Sequence, residues 1–204
     1  GTRSGAPPRP ELPSTVAWRT IAVETDEEGN ISRSWTFFVG QGASFHFGLH
    51  GRRDMLVVCN ETECATIGVD QHASDVRRFV DPRAGLAKLY ENLDEAEYLG
   101  ERTIDDAPAY GWRTERSSLT IEAWIDGATS VPRRISVETS TGAAMDEHYF
   151  DLTGVIEITP ALFDPSLVEA VRDEWDPGPD PLELGPEPGG GEAPEGEALE
   201  GDHD

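Results

Sequence analysis

The sequence predicts an α+β fold built on an antiparallel β-sheet, with one or two helices lying across it. Apolar and polar residues alternate along many short segments, and this period of two is typical of strands with one buried face. Gly, Asn, Asp and Pro residues separate these segments at hairpin spacing. One later segment instead repeats its apolar residues at helical spacing after an Asp-Pro pair. The sheet is therefore expected to dominate the fold.

The first three strands are predicted at residues 15–24, 31–39 and 44–49. Gly29-Asn30 supplies the tight turn between the first two strands, and Gly40 and Gly42 interrupt the chain before the third. The alternation places five residues of the second strand on one face: Ile31, Arg33, Trp35, Phe37 and Val39. In the third strand, Phe45, Phe47 and Leu49 share a face. An apolar sheet face is thus predicted from the start of the chain.

The two cysteines flank a four-residue loop, Cys59-Asn-Glu-Thr-Glu-Cys64, between the predicted hairpin arms 55–58 and 65–69. Residues that flank such a loop lie opposite one another, within reach of a disulfide. The pattern favours a Cys59–Cys64 disulfide and therefore an oxidising compartment. The alternatives are two free cysteines or, less consistent with the absence of a CxxC motif, a metal site.

Two helices are predicted from Asp-Pro starts. Asp81 and Pro82 supply an N-cap and a proline in the first turn of a helix over residues 82–93. Its apolar residues recur at helical spacing: Leu86, Leu89, Tyr90 and Leu93. Asp164-Pro165 begins a second predicted helix over residues 165–175, which docks at the edge of the domain.

Residues 98–137 predict an antiparallel meander of three or four strands. Within residues 119–126, alternate residues fall on opposite faces, Leu119, Ile121, Ala123 and Ile125 on one and Thr120, Glu122, Trp124 and Asp126 on the other. Asp126-Gly127 turns the chain, and Pro132 marks the start of the next strand.

This region carries a family resemblance. The segments LGERTIDDAPAYGWRTE and IEAWIDGATSVPRRI, followed by ITPALFDPSL, resemble the second half of the bacterial lipoprotein-carrier superfamily of LolA-like carriers, mycobacterial-type lipid-binding lipoproteins and RseB-like sensors. The matching positions are Gly100, Tyr110, Gly111, Trp124 to Asp126, Pro132, Arg133, Pro160, Leu162 and Phe163. The resemblance implies that the sheet is strongly curved, an open half-barrel with the helices across its concave side.

The same resemblance implies an apolar ligand cavity under the helix. Six aromatic residues are candidates for lining it: Trp18, Trp35, Phe37, Phe45, Phe47 and Trp124. The alternative is that these side chains form ordinary core, as large aromatic residues at strand spacing often do. A cavity requires the sheet to curl without filling its hollow.

Composition divides the chain into three parts: a Gly/Pro/Ser-rich linker at residues 1–14, one domain at 15–175, and a Pro/Gly/Glu-rich acidic tail at 176–204 that is expected to be disordered. The formal net charge is -24. The last 32 residues hold twelve of the 40 acidic residues and no Lys or Arg, so the preceding chain, with 28 acids and 16 bases, has a net charge of -12. Such acidity argues against nucleic-acid partners.

Enzymatic and metal sites receive little support. His46 and His50 are too far apart on an extended strand to share a metal, and neighbouring carboxylates such as Asp105-Asp106 and Asp146-Glu147 point to opposite faces or into solvent. Ser117-Ser118 lacks the surroundings of a hydrolase nucleophile. No cofactor motif occurs. Arg133-Arg134 is a candidate for contact with an anionic headgroup or a partner, or else a solvated strand edge.

The predicted function is an exported, lipid- or lipoprotein-binding carrier of the cell envelope, which holds an acyl chain in an apolar cavity and is peripheral to the membrane or lipid-anchored. The alternatives are an RseB-like sensor domain, which binds a transmembrane anti-sigma partner or another envelope protein, and a hydrolase. The N-terminal linker is consistent with export. The sequence identifies neither the ligand nor the oligomeric state.

Overall fold

The computed structural model describes Gly5 and residues 7–51, 54–69 and 73–170. The predicted acidic tail at 176–204 and the end of the predicted second helix, residues 171–175, lie outside these residues. In the part of the chain that the structure describes, ten strands form one antiparallel sheet. They are β1 (Thr15–Thr25), β2 (Ile31–Gln41), β3 (Ser44–His50), β4 (Met55–Cys59), β5 (Cys64–Ile67), β6 (Glu97–Ile104), β7 (Ala107–Arg116), β8 (Leu119–Asp126), β9 (Pro132–Thr139) and β10 (Ala144–Asp151).

The order across the sheet is β5-β4-β3-β2-β1-β10-β9-β8-β7-β6. Each half of the chain is a meander, and the pairing of β1 with β10 joins the two halves. The end strands β5 and β6 do not pair with each other, so the sheet is not closed into a barrel. The predicted open half-barrel with few helices is confirmed.

Two helices connect β5 to β6: α1 (Ala73–Val80) and α2 (Pro82–Glu91), the latter followed by a 3₁₀ turn at Asn92–Glu95. The predicted start of α2 is confirmed, because the Asp81 side chain accepts a hydrogen bond from the Arg83 N–H. Helix α1 was not predicted from the sequence. The second Asp-Pro pair begins a short 3₁₀ helix, Pro165–Leu167, where the Asp164 side chain caps the Ser166 N–H.

The helices cover one face of the sheet, which we call the concave face; the other is the convex face. The main core lies between the helices and the concave face, and it joins Val76 of α1 and Leu86 of α2 to Trp18, Phe38 and Phe45. The chain after β10 covers part of the convex face, where Phe163 packs on Ala17 and Val39. The N-terminal half of the sheet is therefore buried on both faces.

Arg83 ties α2 to the sheet. Its guanidinium donates to the Gly42 carbonyl at 2.7 Å, forms a 2.8 Å ion pair with Asp81, and lies 5.5 Å from the centre of the Phe38 ring. Both side chains of the pair are about five-sixths buried. This anchor fixes the position of α2 over the concave face. Within the described residues, no helix is both long and apolar enough to cross a bilayer.

Candidate ligand-binding face

The six aromatic residues predicted to line a cavity divide between the two faces. Paired residues of neighbouring antiparallel strands share a face, and the pairings Trp18 with Phe38, and Phe38 with Phe47, place these rings together on the concave face. Phe45 belongs to the same core cluster. The structure thus brings Trp18, Phe45 and Phe47 together beneath the helices.

These three rings pack in or against the main core beneath the helices. Trp18 is 1% exposed and Phe45 is fully buried. Trp18 packs 4.6 Å from Phe38 and 5.9 Å from Tyr149, between ring centres. Their environment is that of close-packed core, the alternative considered from the sequence. None of the crevices described below is lined by any of the six predicted residues.

The other three rings lie on the convex face. Phe37 packs edge-on to His46, and Trp35 contacts His50 and the Arg19 guanidinium. Trp124 lies over Gly111, where a Cβ atom would approach its ring to 2.6 Å. The structure therefore does not bring Trp35, Phe37 and Trp124 to the concave side. For Trp35 and Phe37, the reason is that both faces of the N-terminal half of the sheet carry packed residues, so alternation alone does not tell which face meets the helices. Trp124 lies on the face of β8 opposite Ile121 and Ala123, where the alternation placed it.

An apolar crevice of about 230 Å³ opens on the concave face between α2 and the hairpin of β7 and β8. Its apolar walls are Leu89 of α2 and Leu119 and Ile121 of β8. Its full lining is Gly85, Lys88, Leu89, Asn92, Thr114, Arg116, Leu119 and Ile121. We call it the helix crevice.

A second crevice, of about 270 Å³, lies at the same end of the sheet between the β1–β2 and β9–β10 turns. Val137 and Met145 line it together with Ser32 and Glu24. We call it the hairpin crevice. Val137 pairs with Ile121 across β8 and β9, so the two crevices are neighbours on the concave face. Each is slightly smaller than the roughly 300–1,000 Å³ of a typical small-molecule pocket.

Polar side chains lie on the concave face between the packed core and the crevices. The hydroxyls of Thr20 and Thr36 are 2.6 Å apart, and Tyr149 donates to Glu147 at 2.6 Å. Burial raises the pKa of the Glu147 carboxyl, with repulsion from Glu24 acting in the same direction. Burial also raises the pKa of Tyr149 well above its ordinary value. A mostly buried carboxyl thus lies on the concave face between the packed core and the two crevices, which we call the open end of this face.

The two arginines considered as contacts for a headgroup or partner, or else as a solvated strand edge, are held by carboxylates within the chain. Arg133 donates to Asp126 at 2.6 Å, and Arg134 donates to Asp146 at 2.7 Å. Burial raises the pKa of Asp126, but hydrogen bonds from Arg133 and from the Thr129 and Ala128 N–H groups outweigh it and leave the pKa below its ordinary value. These contacts order the β8–β9 turn and pair β9 with β10.

Groups considered for catalysis are dispersed. Asp146 and His148 lie on the convex face, while Glu147, between them, points to the concave face beside Tyr149. Asp105 and Asp106 occupy an exposed turn. His46 is buried and within hydrogen-bond distance of the Leu162 carbonyl, and burial lowers its pKa. Among the described residues, no group of three or more His, Cys, Asp or Glu side chains is arranged to hold a metal ion.

The predicted disulfide is confirmed. Cys59 and Cys64 are bonded and pair directly across β4 and β5. Asn60 orders the intervening loop, since its side-chain oxygen accepts hydrogen bonds from the N–H groups of Thr62 and Glu63.

The crevice residues were missed as a site by sequence reasoning. Alternation in β8 correctly placed Leu119 and Ile121 on one apolar face, but nothing in the sequence links them to Gly85 and Leu89 of α2. The available signal was Gly85, an isolated glycine in a helix of otherwise good helix formers, because such a glycine often has a packing or functional reason.

No family model matches the sequence, and no curated protein matches it. Among solved structures, the complex of MucA and MucB from Pseudomonas aeruginosa is 17% identical and covers 74% of this chain and 56% of that chain, with a TM-score of 0.45. The lipoprotein LppX from Mycobacterium tuberculosis is 11% identical, covers 67% of this chain and 85% of its own, and gives a TM-score of 0.34. A LolA superfamily protein from Nitrosomonas europaea is 13% identical and covers 76% of this chain and 92% of that chain, with a TM-score of 0.27.

The chain spans a little over half of the MucB chain that it matches. At these identities and TM-scores, the likenesses carry no information about ligand or partner.

Proposed function

We propose that this chain is an extracytoplasmic lipid-binding module, which holds the acyl chain of an anionic amphiphile on the open end of its concave face. The observation that carries the proposal is the helix crevice. Its apolar walls, Leu89, Leu119 and Ile121, are each partly exposed. The proposed site differs from the six aromatic residues expected from the sequence. It uses the part of the concave face that the protein's own side chains do not fill.

The neighbouring hairpin crevice extends the proposed path. An acyl chain in the helix crevice meets Ile121 and, across the strand pairing, Val137 and Met145. Each buried CH₂ group contributes roughly 0.8 kcal/mol. A chain that spans both crevices therefore gains enough to offset part of the cost of association.

Two basic side chains at the helix crevice are the reason for proposing that the ligand has an anionic headgroup. Lys88 and Arg116 both line it and are exposed. The chain carries only 16 basic residues against 40 acidic ones, so two cations beside one apolar crevice favour a carboxylate or phosphate over a neutral headgroup.

The disulfide supports an extracytoplasmic location, because cytosolic thiols are kept reduced. The module is proposed to lie at the membrane surface, peripherally or through a lipid anchor. The alternative, from the sequence resemblance, is an RseB-like envelope sensor with a protein partner.

Gly85 offers a sharp test. It lines the helix crevice from α2, and a Cβ atom there would have open space around it. Gly85→Phe should fill the crevice without disturbing the core, whereas Gly85→Ala adds one methyl group and serves as the matched control. Binding is measured with a fluorescent fatty acid, dansylundecanoic acid, and by native mass spectrometry of protein exported to a bacterial periplasm.

Wild type and Gly85→Ala are expected to bind the probe and to retain a co-purified amphiphile. Gly85→Phe should bind at least about tenfold more weakly, the effect of excluding roughly two methylene groups. Equal binding by all three proteins would contradict the proposed crevice. No amphiphile on any of them, even with added lipid, would favour the sensor role.

A further inference from the structure

The proline-rich segment before β1 lies against the concave face. Residues 7–13 read Pro-Pro-Arg-Pro-Glu-Leu-Pro, and Leu12 packs against the buried cluster that includes Tyr90 of α2 and Trp112 of β7. Pro7 and Pro10 are half-buried, while Pro8, Arg9 and Glu11 are exposed. The spacing of Pro7 and Pro10 matches the three-residue turn of a polyproline II helix, whereas Leu12 is half-buried and Pro13 is exposed.

The surface that receives this segment is an aromatic groove. Tyr98, Trp112 and Tyr110 form a row with ring centres 5.8 Å and 6.4 Å apart. A space of about 400 Å³ lies between Tyr110 and Trp112 of this row and the proline segment, and Ile125 and Ser130 also line it. The groove therefore has space that the proline segment does not fill.

The backbone of the β8–β9 turn is shaped around this groove. Gly127 lies directly beneath Tyr110, and a Cβ atom at Gly127 would approach the Tyr110 ring to 2.5 Å. Tyr90 of α2 donates to the Ser130 carbonyl at 2.7 Å and closes the turn against the helix. The Tyr110 ring therefore packs on the turn backbone at Gly127, a contact that does not involve the proline segment.

A charge pair sets the direction of the segment. Arg9 lies 3.5 Å from Asp94, in the 3₁₀ turn after α2. Both side chains are well exposed, 42% and 69%, so the pair contributes orientation more than affinity. Aromatic rows that receive prolines, with an acidic residue for a nearby arginine, are the arrangement by which proteins bind extended proline-rich peptides.

We propose that the groove of Tyr98, Tyr110 and Trp112 is a binding site for extended proline-rich peptides that carry an arginine, and that residues 7–13 occupy it in cis. A tethered segment acts at an effective concentration of about millimolar, so it competes with any peptide in trans. The groove is thus a peptide site separate from the helix crevice, and its occupation is regulated by the chain's own segment.

The test uses the full chain with the double substitution Pro7→Ser and Pro10→Ser, which removes the two half-buried prolines. A fluorescein-labelled synthetic peptide with the sequence of residues 5–14 is titrated by anisotropy. The double variant is expected to bind it at least about tenfold more tightly than wild type, because the cis competitor is weakened. The same peptide with serine in place of its four prolines should not bind.

Adding Tyr110→Ala to the double variant should abolish peptide binding, with circular dichroism to verify the fold. Asp94→Lys, at an exposed position, should weaken binding up to about fivefold. This variant should bind a peptide with glutamate in place of arginine more tightly than the original peptide. Gly85→Phe should leave peptide binding unchanged. Equal binding to wild type and the double variant, or binding that survives Tyr110→Ala in a folded protein, would overturn the proposal.

Discussion

The two halves of the sheet differ in how their faces are covered. In the half of β1 to β5, the helices bury the concave face, and the chain after β10 buries much of the convex face. In the half of β6 to β10, the concave face carries the helix crevice, part of the hairpin crevice and the aromatic groove. The same strand geometry therefore supplies a stable platform on one side and binding surfaces on the other.

The largest effect is expected where the platform is most tightly packed. Trp18→Ala removes a ring that is 1% exposed and should lower the free energy of unfolding by about 3–5 kcal/mol. Leu119→Ala, in the open half, should cost about 1 kcal/mol because its side chain is already partly exposed. Urea unfolding of both variants measures the difference, and similar losses would break the contrast between the halves.

Asp126 is the exception that holds the open half together. Its carboxylate is 3% exposed and accepts hydrogen bonds from Arg133 and two turn N–H groups. Asp126→Ala leaves Arg133 unpaired and should cost about 3 kcal/mol near neutral pH.

The pKa of Asp126 is held below its ordinary value, so its stabilising effect is present above the unfolded pKa of about 3.9 and is lost as the pH falls through the lower folded value. The stability gap between wild type and Asp126→Ala should therefore narrow below about pH 4. A gap that stays constant down to acid unfolding would show that the ion pair contributes nothing.

The disulfide joins β4 and β5 at the edge of the more tightly packed half of the sheet. Replacing Cys59 and Cys64 together by Ala frees a loop with a sequence separation of 5, and loop-closure entropy predicts a loss of about 2 kcal/mol. Thermal unfolding with and without a reductant measures it: wild type with reductant should match the double variant. Probe binding at the helix crevice should be unchanged in the folded variant.

Glu147 tests the boundary between packed core and open face. Its raised pKa means that the folded state favours the protonated form, so its contribution is fully present below the unfolded pKa of about 4.3 and is lost as the pH rises through the folded value. Glu147→Gln mimics the protonated form and should gain stability relative to wild type between about pH 5 and 8. A relative stability independent of pH would place this carboxyl in solvent.

The sequence predicted β1 to β5, the meander that contains β6 to β9, and α2, because their signals are local; β10 was not predicted. Alternation and Gly or Asp turns mark the strands, and Asp81 caps α2 as expected. The cysteine pairing was also predictable from the hairpin that separates the two residues.

The candidate site was not predictable in the same way. Trp35 and Phe37 alternate like core residues, but they pack on the convex face, while Phe38 faces the helices. The helix crevice joins Leu89 to Ile121, residues from separate elements that meet only through the packing of α2 on the sheet. Local patterns identify an apolar strand face but do not show which part of it the helices leave open.

The most direct test is a crystal structure of the chain with a fatty acid brominated along its acyl chain, in which anomalous scattering locates the bromine atoms. Bromine beside Leu89 and Ile121, with the carboxylate near Lys88 or Arg116, is the predicted result. Bromine on the convex face beside Trp35 and Phe37, or no bromine in the helix crevice at saturating ligand, would contradict the proposed lipid site.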